Sequence, residues 1–530
     1  MFQSDLNRSI TATLISLILV LIVFLIKKYI DIYSYWKRHG INGPPNKYLF
    51  LGNFFNFSQP LALYLVDNHR KYGKIHGIYQ GVKPALNVAD PNLIKRVLVQ
   101  DFHIFRNRPN SFNQDRIFRK NLAAIRDNAW KRIRSILSPM FTTSKLKKME
   151  SLMQTCIDSL TNAIEKQTDQ SIMIRDTTGN FTMDVIAKCA FATETNAHQD
   201  RENYFIKNAV KIFDFNLINT IVAIVTPRFL FDFFTSLRLP FYHRSENEFF
   251  INLGFHLIKQ RQEREGKHFD DMLQLMVDAR LGKDQRYEKA DEFDSFQVNL
   301  GKEEIKQENE LFKDVIGSKY LSEEEIVAQS VVFFLAGYET TATTMAFCCY
   351  ELATNQDIQQ KLFDEIQSVL DDGKSLNYSS VMTLPYLDAV LSETLRKYPP
   401  ALALAREASE DYYIKEYDIT VEKHNDVVIP VYAIHHDPEY YPDPERYDPE
   451  RFMPENRHKL VPYTYLPFGG GPRNCIGMRF ALAEAKLGIA NLIKLFRIVR
   501  TAKTPEKLRL TKSLFLLKTE PIHIGFERRK

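Results

Sequence analysis

From Ser9 to Ile26 the chain carries eighteen consecutive residues without a charge, SITATLISLILVLIVFLI. As a helix this run spans about 27 Å, close to the hydrocarbon thickness of an endoplasmic reticulum bilayer. A buried core helix is rarely this uniform. A cleaved secretory signal would open on basic residues and close on a small-residue cleavage site. Here Asp5 sits in the opening, and the run passes into Lys27, Lys28, Tyr29 and Ile30 with no such site. The run therefore reads as a single membrane anchor. Lys27, Lys28, Lys37 and Arg38 follow it, against Arg8 alone before it. That asymmetry places the bulk of the chain in the cytosol, on the endoplasmic reticulum membrane. Tyr33, Tyr35 and Trp36 suit the interface, and Gly43-Pro44-Pro45 makes a stiff bend. The expected division is an anchor over 1–28, a basic linker with a proline bend over 29–45, and a catalytic body over 46–530.

The body is globular in composition: 45% of the 530 residues are hydrophobic and 25% charged, which excludes a disordered chain. A net charge of +5 is too small to propose nucleic acid as a partner. Length alone suggests about three domains, yet no boundary is visible after residue 45. Five scattered cysteines, Cys156, Cys189, Cys348, Cys349 and Cys475, contain no CxxC, so neither a disulfide framework nor a zinc ribbon is indicated. The body reads mostly helical, over 128–137, 147–167, 180–192 and 245–281, with a strand-like stretch at 82–88. Residues 283–313 are charged and poor in apolar residues, and read as a mobile surface insertion. Ser322 and Glu325 form a capping box. The helix they start runs without proline to about Asn355, with an apolar middle that must cross the core.

Residues 467–477 read Pro-Phe-Gly-Gly-Gly-Pro-Arg-Asn-Cys-Ile-Gly, with a helix close behind. A phosphate loop is excluded, because no Gly-Lys-Ser/Thr follows and Asn474 stands where a G-x-G-x-x-G needs glycine. A cysteine at a helix start, after a turn that exposes backbone N–H groups, is favoured as a thiolate. Such a thiolate is a nucleophile or an axial metal ligand. Arg473 can meet an anionic group, and Phe468 can pack on a flat apolar face. Together these describe a haem.

Phe468, Gly471, Arg473, Cys475 and Gly477 match every fixed position of F-x-x-G-x-R-x-C-x-G, so the chain resembles the cytochrome P-450 haem-thiolate monooxygenases. The resemblance implies that Cys475 is the proximal iron ligand of haem b, with Arg473 and Phe468 in the cofactor site. It extends over roughly residues 40–526. Glu393 and Arg396, at i, i+3, match the family's E-x-x-R pair, and Arg451 in Pro-Glu-Arg-Phe supplies the third member of a buried structural network. Ala336-Gly337-Tyr338-Glu339-Thr340 matches the motif beside the distal haem face. The resemblance implies that Glu339 and Thr340 organise protons for catalysis, and that small Ala336 leaves room for oxygen and substrate. From the residues alone, Thr340 can also turn its hydroxyl onto the carbonyl of Ala336. Trp130 and Arg134 match W-x-x-x-R, whose side chains reach a haem propionate, and Arg406 is a third propionate partner. AQSVVFFLAGYETTATT, WKRIRSILSPMF and GPRNCIGMRFAL look most like the animal microsomal clan that includes the drug- and steroid-oxidising family 3 enzymes.

The expected fold is mainly α with small β-sheets (α+β): the P-450 fold, with a long central helix over the haem and one N-terminal transmembrane helix. The expected activity is insertion of one oxygen atom from O2 into a lipophilic substrate, a steroid, fatty acid or xenobiotic. NADPH supplies the electrons indirectly. The chain ends about fifty residues after Cys475, so NADPH-cytochrome P-450 reductase is expected as a separate protein, with cytochrome b5 as a second donor. Lys131, Arg132, Lys145, Lys147 and Lys148 form a candidate basic face for that partner. The alternative is a haem-thiolate isomerase or lyase that rearranges a lipid peroxide without O2; such relatives often lack the acid–threonine pair. Candidate pocket segments are 106–126 with Phe105 and Phe112, 205–240, 333–340, 400–406 and 512–517. The apolar stretch within 205–240 is also a candidate for dipping into the membrane.

Overall fold

The computed structural model describes residues 2–529, apart from 47–50, 54–57, 110–114, 168–169, 196, 199–202, parts of 214–244, 264–270, 282–319 and 514–515. Phe112 and the 283–313 stretch thus lie outside the described residues. The longer described helices, in chain order, are α1 (Phe2–Tyr33), α2 (Leu61–Tyr72), α3 (Asp127–Leu137), α4 (Thr143–Glu165), α5 (Ile174–Phe191), α6 (Tyr204–Phe213), α7 (Arg228–Ser236), α8 (Ser245–Glu263), α9 (Met272–Arg280), α10 (Glu323–Thr354), α11 (Gln356–Asp371), α12 (Pro385–Lys397) and α13 (Met478–Leu495). The 245–281 region, read from sequence as one helical stretch, contains two helices. The strands are β1 (Ile75–Gln80), β2 (Lys83–Val88), β3 (Ile172–Met173), β4 (Leu404–Glu407), β5 (Tyr412–Ile414), β6 (Ile419–Val421), β7 (Asp426–Ile429), β8 (Phe496–Val499) and β9 (His523–Arg528). They form three small sheets, ordered β1-β2-β7-β4, β3-β9-β8 and β5-β6. In the first, β2 runs parallel to β7 with Ala85 opposite Asp426, and β4 pairs antiparallel with Arg406 opposite Val427.

Among the described residues two helices are long and apolar enough to cross a membrane, and burial separates them. The apolar window of α10 is 78% buried inside the protein, whereas that of α1 is 0% buried. Helix α10 starts at the Ser322–Glu325 capping box, with Ser322 N donating to Glu325 Oε2 at 2.9 Å and Glu325 N to Ser322 Oγ at 3.3 Å. It runs through the largest apolar cluster, between α5 and α13. Gly337 lets α5 approach, since a Cβ there would lie 3.0 Å from Ile186.

Helix α1 continues past residue 28 to Tyr33, and the residues after it dock on the body. Trp36 is buried, with Nε1 donating to Ile78 O at 2.9 Å, and Tyr33 OH donates to Gly81 O at 3.0 Å. Gly77 makes room, because a Cβ there would sit 2.2 Å from the indole of Trp36.

Candidate active site

The cysteine loop is shaped by residues distant in sequence. Gly471 has φ +66°, and a Cβ there would fall 1.9 Å from Leu98 O, so only glycine fits. The turn closes with Cys475 N donating to Phe468 O at 2.9 Å. Phe468 itself is half-buried against a cluster that includes Tyr465 and Phe452. Cys475 lies deep enough for burial to push its thiol up. The Gly477 N–H, Arg134 and Arg108 pull the other way and do not overcome it. Helix α13 begins three residues on, at Met478, so in the absence of a metal its dipole does not outweigh desolvation. A thiol held this way becomes a thiolate on binding a metal, which takes the proton's place. Cys475 nevertheless retains accessible surface. Deep placement combined with accessible surface marks a side chain that opens onto interior space.

Four arginines gather beside it. Arg134 donates from Nη1 to Asn474 O at 2.9 Å and from Nη2 to Asn474 Oδ1 at 2.7 Å, which docks α3 on the residue before the cysteine. Arg473 uses Nε, Nη1 and Nη2 on the carbonyls of Arg106, Leu122 and Ile125, and its guanidinium lies 4.4 Å from the ring centre of Trp130. Arg108 donates to Arg473 O at 3.1 Å. Arg406, on β4, has a buried Nε with no hydrogen-bond partner. Burial first, and then one another's charge, lowers Arg473 to about 8 and Arg406 to about 9. Arg108 is lowered too, by burial and by Arg134. Among the described residues no carboxylate pairs with Arg108, Arg406 or Arg473. Arginine stays charged in proteins, so a buried cluster of this kind calls for an anion of more than one charge. The two propionates of haem b fit that requirement, and the sulfur of Cys475 fits its iron. Arg108 was not singled out in the sequence; its role depends on Arg473 and Cys475, some 365 residues away.

On α10, Ala336 is exposed and Thr340 half-buried amid buried neighbours, so both also open onto interior space. Thr340 Oγ1 donates to Ala336 O at 2.7 Å. Glu339 is not beside that hydroxyl: it is buried and ion-paired with Arg175 on α5. Arg175 is a second residue the sequence reading missed.

Glu393 and Arg396 on α12 are fully buried and bidentate, with Nε to Oε2 at 2.7 Å and Nη2 to Oε1 at 2.9 Å. Asp448 N donates to Glu393 Oε1 at 2.9 Å, and Arg451 Nε lies 3.6 Å from the same oxygen. His435 joins this network to the cysteine loop. It is held neutral by burial, so Nδ1 donates to Arg396 O at 3.0 Å while Nε2 accepts from Leu466 N at 2.9 Å. Nothing in its local sequence, Ile-His-His-Asp-Pro, signals that role.

Two other expectations change. Phe105 is a core residue, packed edge-on against Tyr412 with centroids 5.0 Å apart, not a pocket wall. Arg132 is engaged by Glu325 at the start of α10, at 2.5 Å, so it is not a free member of a basic face.

The cytochrome P450 family model matches residues 42–526. Cytochrome P450 3A16 of Mus musculus is 34% identical over 510 residues, covering 96% of this chain and 95% of that protein. Cytochrome P450 3A2 of Rattus norvegicus is 34% identical over 522 residues, covering 98% and 97%. Cytochrome P450 3A27 of Oncorhynchus mykiss is 33% identical over 533 residues, covering 98% and 95%. The chain belongs to the cytochrome P450 family, and is a family 3-like haem-thiolate monooxygenase. Its cofactor is haem b, with NADPH used indirectly through a redox partner, and its substrate is lipophilic.

Proposed function

We propose that this protein is an endoplasmic reticulum enzyme that hydroxylates a steroid, fatty acid or xenobiotic. In this reading it is anchored by residues 1–28, carries its haem domain over 46–530 on the cytosolic face, and is reduced by NADPH-cytochrome P-450 reductase, with cytochrome b5 as second donor. The observation that carries the reading is the accessible Cys475 sulfur beside Arg108, Arg406 and Arg473, which pair with no carboxylate among the described residues. Haem b bound there supplies oxygen activation at a thiolate-ligated iron. Cys475 would hold its iron through sulfur, and Phe468 would pack against its apolar face. Arg108, Arg134, Arg406 and Arg473 would bind its propionates, and Trp130 braces Arg473. Glu393, Arg396 and Arg451 hold the core on the cysteine side. Ala336 leaves room for substrate, and Thr340, whose proton goes to Ala336 O, presents its hydroxyl oxygen as an acceptor at the cavity. Glu339 acts in this scheme from its pair with Arg175, as a reserve of charge near Thr340.

The test is product formation from a steroid, fatty acid and xenobiotic panel with NADPH and reductase. NADPH-dependent oxygenated product is expected. Rearrangement of a lipid hydroperoxide without NADPH, and no oxygenation, would sink the proposal. Cys475→Ala is expected to abolish the reduced carbon-monoxide band of thiolate-ligated haem; survival of that band would remove Cys475 as the ligand.

A further inference from the structure

Helix α5 presents two buried hydroxyls to α10. Thr178 Oγ1 donates to Ala342 O at 2.9 Å, and Thr182 Oγ1 to Tyr338 O at 3.0 Å. Both residues are 0% exposed. Each hydroxyl also lies near carbonyls of its own helix: Ile174 at 3.0 Å and Arg175 at 3.3 Å for Thr178, Gly179 at 3.2 Å for Thr182. A hydroxyl has one proton to give, and in both cases the shortest contact is the one across to α10. The helices run antiparallel here, so 178 and 182 meet 342 and 338 one turn apart on each side.

The two accepting carbonyls bracket Glu339, Thr340 and Thr341. Hydroxyls of α10 itself serve the carbonyls on either side of Tyr338: Thr340 Oγ1 on Ala336 O at 2.7 Å and Thr344 Oγ1 on Thr340 O at 2.9 Å. Carbonyls 336, 338, 340 and 342 therefore each accept a side-chain hydroxyl. A hydroxyl on the neighbouring helix that donates to a helical carbonyl draws that carbonyl toward it and ties the two helices together at that turn. Valine would fill the volume of Thr178 or Thr182 without burying a polar group, so packing alone does not account for the hydroxyls. The same stripe of α5 carries Arg175, paired with Glu339, and Gly179, where a Cβ would come within 2.5 Å of Arg175 Nη1.

We propose that Thr178 and Thr182 are positioning residues for the Glu339–Thr340 segment. Their hydroxyls hold the Tyr338 and Ala342 carbonyls toward α5, and thereby set the rotation that turns Thr340 to the cavity and Glu339 to Arg175. The catalytic consequence rests on the reading of Thr340 given above; the positioning itself does not.

The experiment uses the full-length, haem-loaded protein as Thr178→Val, Thr182→Val, the double valine variant and the double serine variant. Amide hydrogen exchange is followed in peptides covering 336–346. Exchange there is expected to rise about fivefold per hydroxyl removed, the worth of one buried hydrogen bond. Exchange in α13 and the reduced carbon-monoxide band should stay unchanged, and the serine variant should match wild type. Unchanged exchange in 336–346, or a rise confined to α5, overturns the proposal, because the hydroxyls then serve their own helix. If the double variant does not bind haem, the single variants decide by the same two outcomes. Peroxide released per NADPH oxidised, with reductase, is read alongside and is expected to rise in the double valine variant. Faster exchange without extra peroxide in that variant overturns the catalytic link. If Thr340→Ala also leaves peroxide unchanged, it is the reading of Thr340 that has failed, and the positioning stands.

Discussion

Replacing Glu393 by Gln keeps the shape of the side chain and removes its charge from a site with no solvent. The carboxylate accepts from Arg396 Nε, Arg396 Nη2 and Asp448 N, at 2.7, 2.9 and 2.9 Å, with Arg451 Nε 3.6 Å away. All of these neighbours are donors, so the new amide NH2 must face at least one of them donor to donor. Arg396, fully buried, then keeps the Tyr441 ring at 5.4 Å and the carbonyl of His435 as its main compensation. Removing one partner of a buried pair costs about 3–5 kcal/mol. With a urea slope of roughly 4 kcal/mol per molar for a body of this size, the midpoint should fall by about 1 M. The assay is a urea titration of the haem-loaded protein, read by the reduced carbon-monoxide band. Because His435 links Arg396 to Leu466, that band should be lost before global unfolding. A double change, Glu393→Leu with Arg396→Met, should recover only part of the loss, since it removes the buried pair but leaves Arg451 and the Asp448 N–H without their acceptor. A midpoint within about 0.2 M of wild type for Glu393→Gln would refute the reasoning.

Thr340→Ala removes the hydroxyl bonded to Ala336 O and should divert oxygen to peroxide severalfold while NADPH oxidation continues; unchanged coupling would make Thr340 a packing residue. Burial lowers His76 to about 4 and His436 to about 3, from an ordinary value near 6.5. The folded state thus resists protons that the unfolded chain takes up, so this stability is present above about pH 6.5 and falls as pH drops toward 4, by roughly 3 kcal/mol per histidine. The urea midpoint should track that fall, and a His76→Asn, His436→Asn variant should flatten it; an unchanged slope would count against burial as the cause. Gly77→Ala forces a methyl into the Trp36 indole and should free the segment after α1. Trypsin cleavage at Lys37 and Arg38 in membrane-bound protein should then rise about tenfold, and equal cleavage would show that the docking does not depend on this contact.

Features set by contiguous residues were legible. The uncharged run from Ser9 to Ile26 identified α1, and the Ser322–Glu325 capping box located the start of α10 to the residue. The spacing of Phe468, Gly471, Arg473, Cys475 and Gly477 pointed to haem. Glu393 and Arg396 could be paired from their i, i+3 separation, but their complete burial could not be read. An exposed pair at the same spacing would contribute only about 0.2–0.5 kcal/mol. Arg108, Arg175 and His435 escaped notice because single residues of common types carry no pattern. Phe105 and Arg132 were placed at a pocket and on a partner face, and instead serve the core and the start of α10.

What the sequence determined alone is the local chemistry: an uncharged N-terminal helix, a long apolar helix, and a cysteine in a glycine-rich turn. What tertiary structure decided is the environment of each group. Whether the Cys475 thiol gains more from nearby donors and charges than it loses to burial depends on the Gly477 N–H, Arg108 and Arg134 together with the packing around it. Whether Glu339 meets Thr340 or Arg175 depends on which helix packs against α10. Electrostatic and solvation energies are sums over neighbours in space, and those neighbours here come from segments separated by up to about 365 residues.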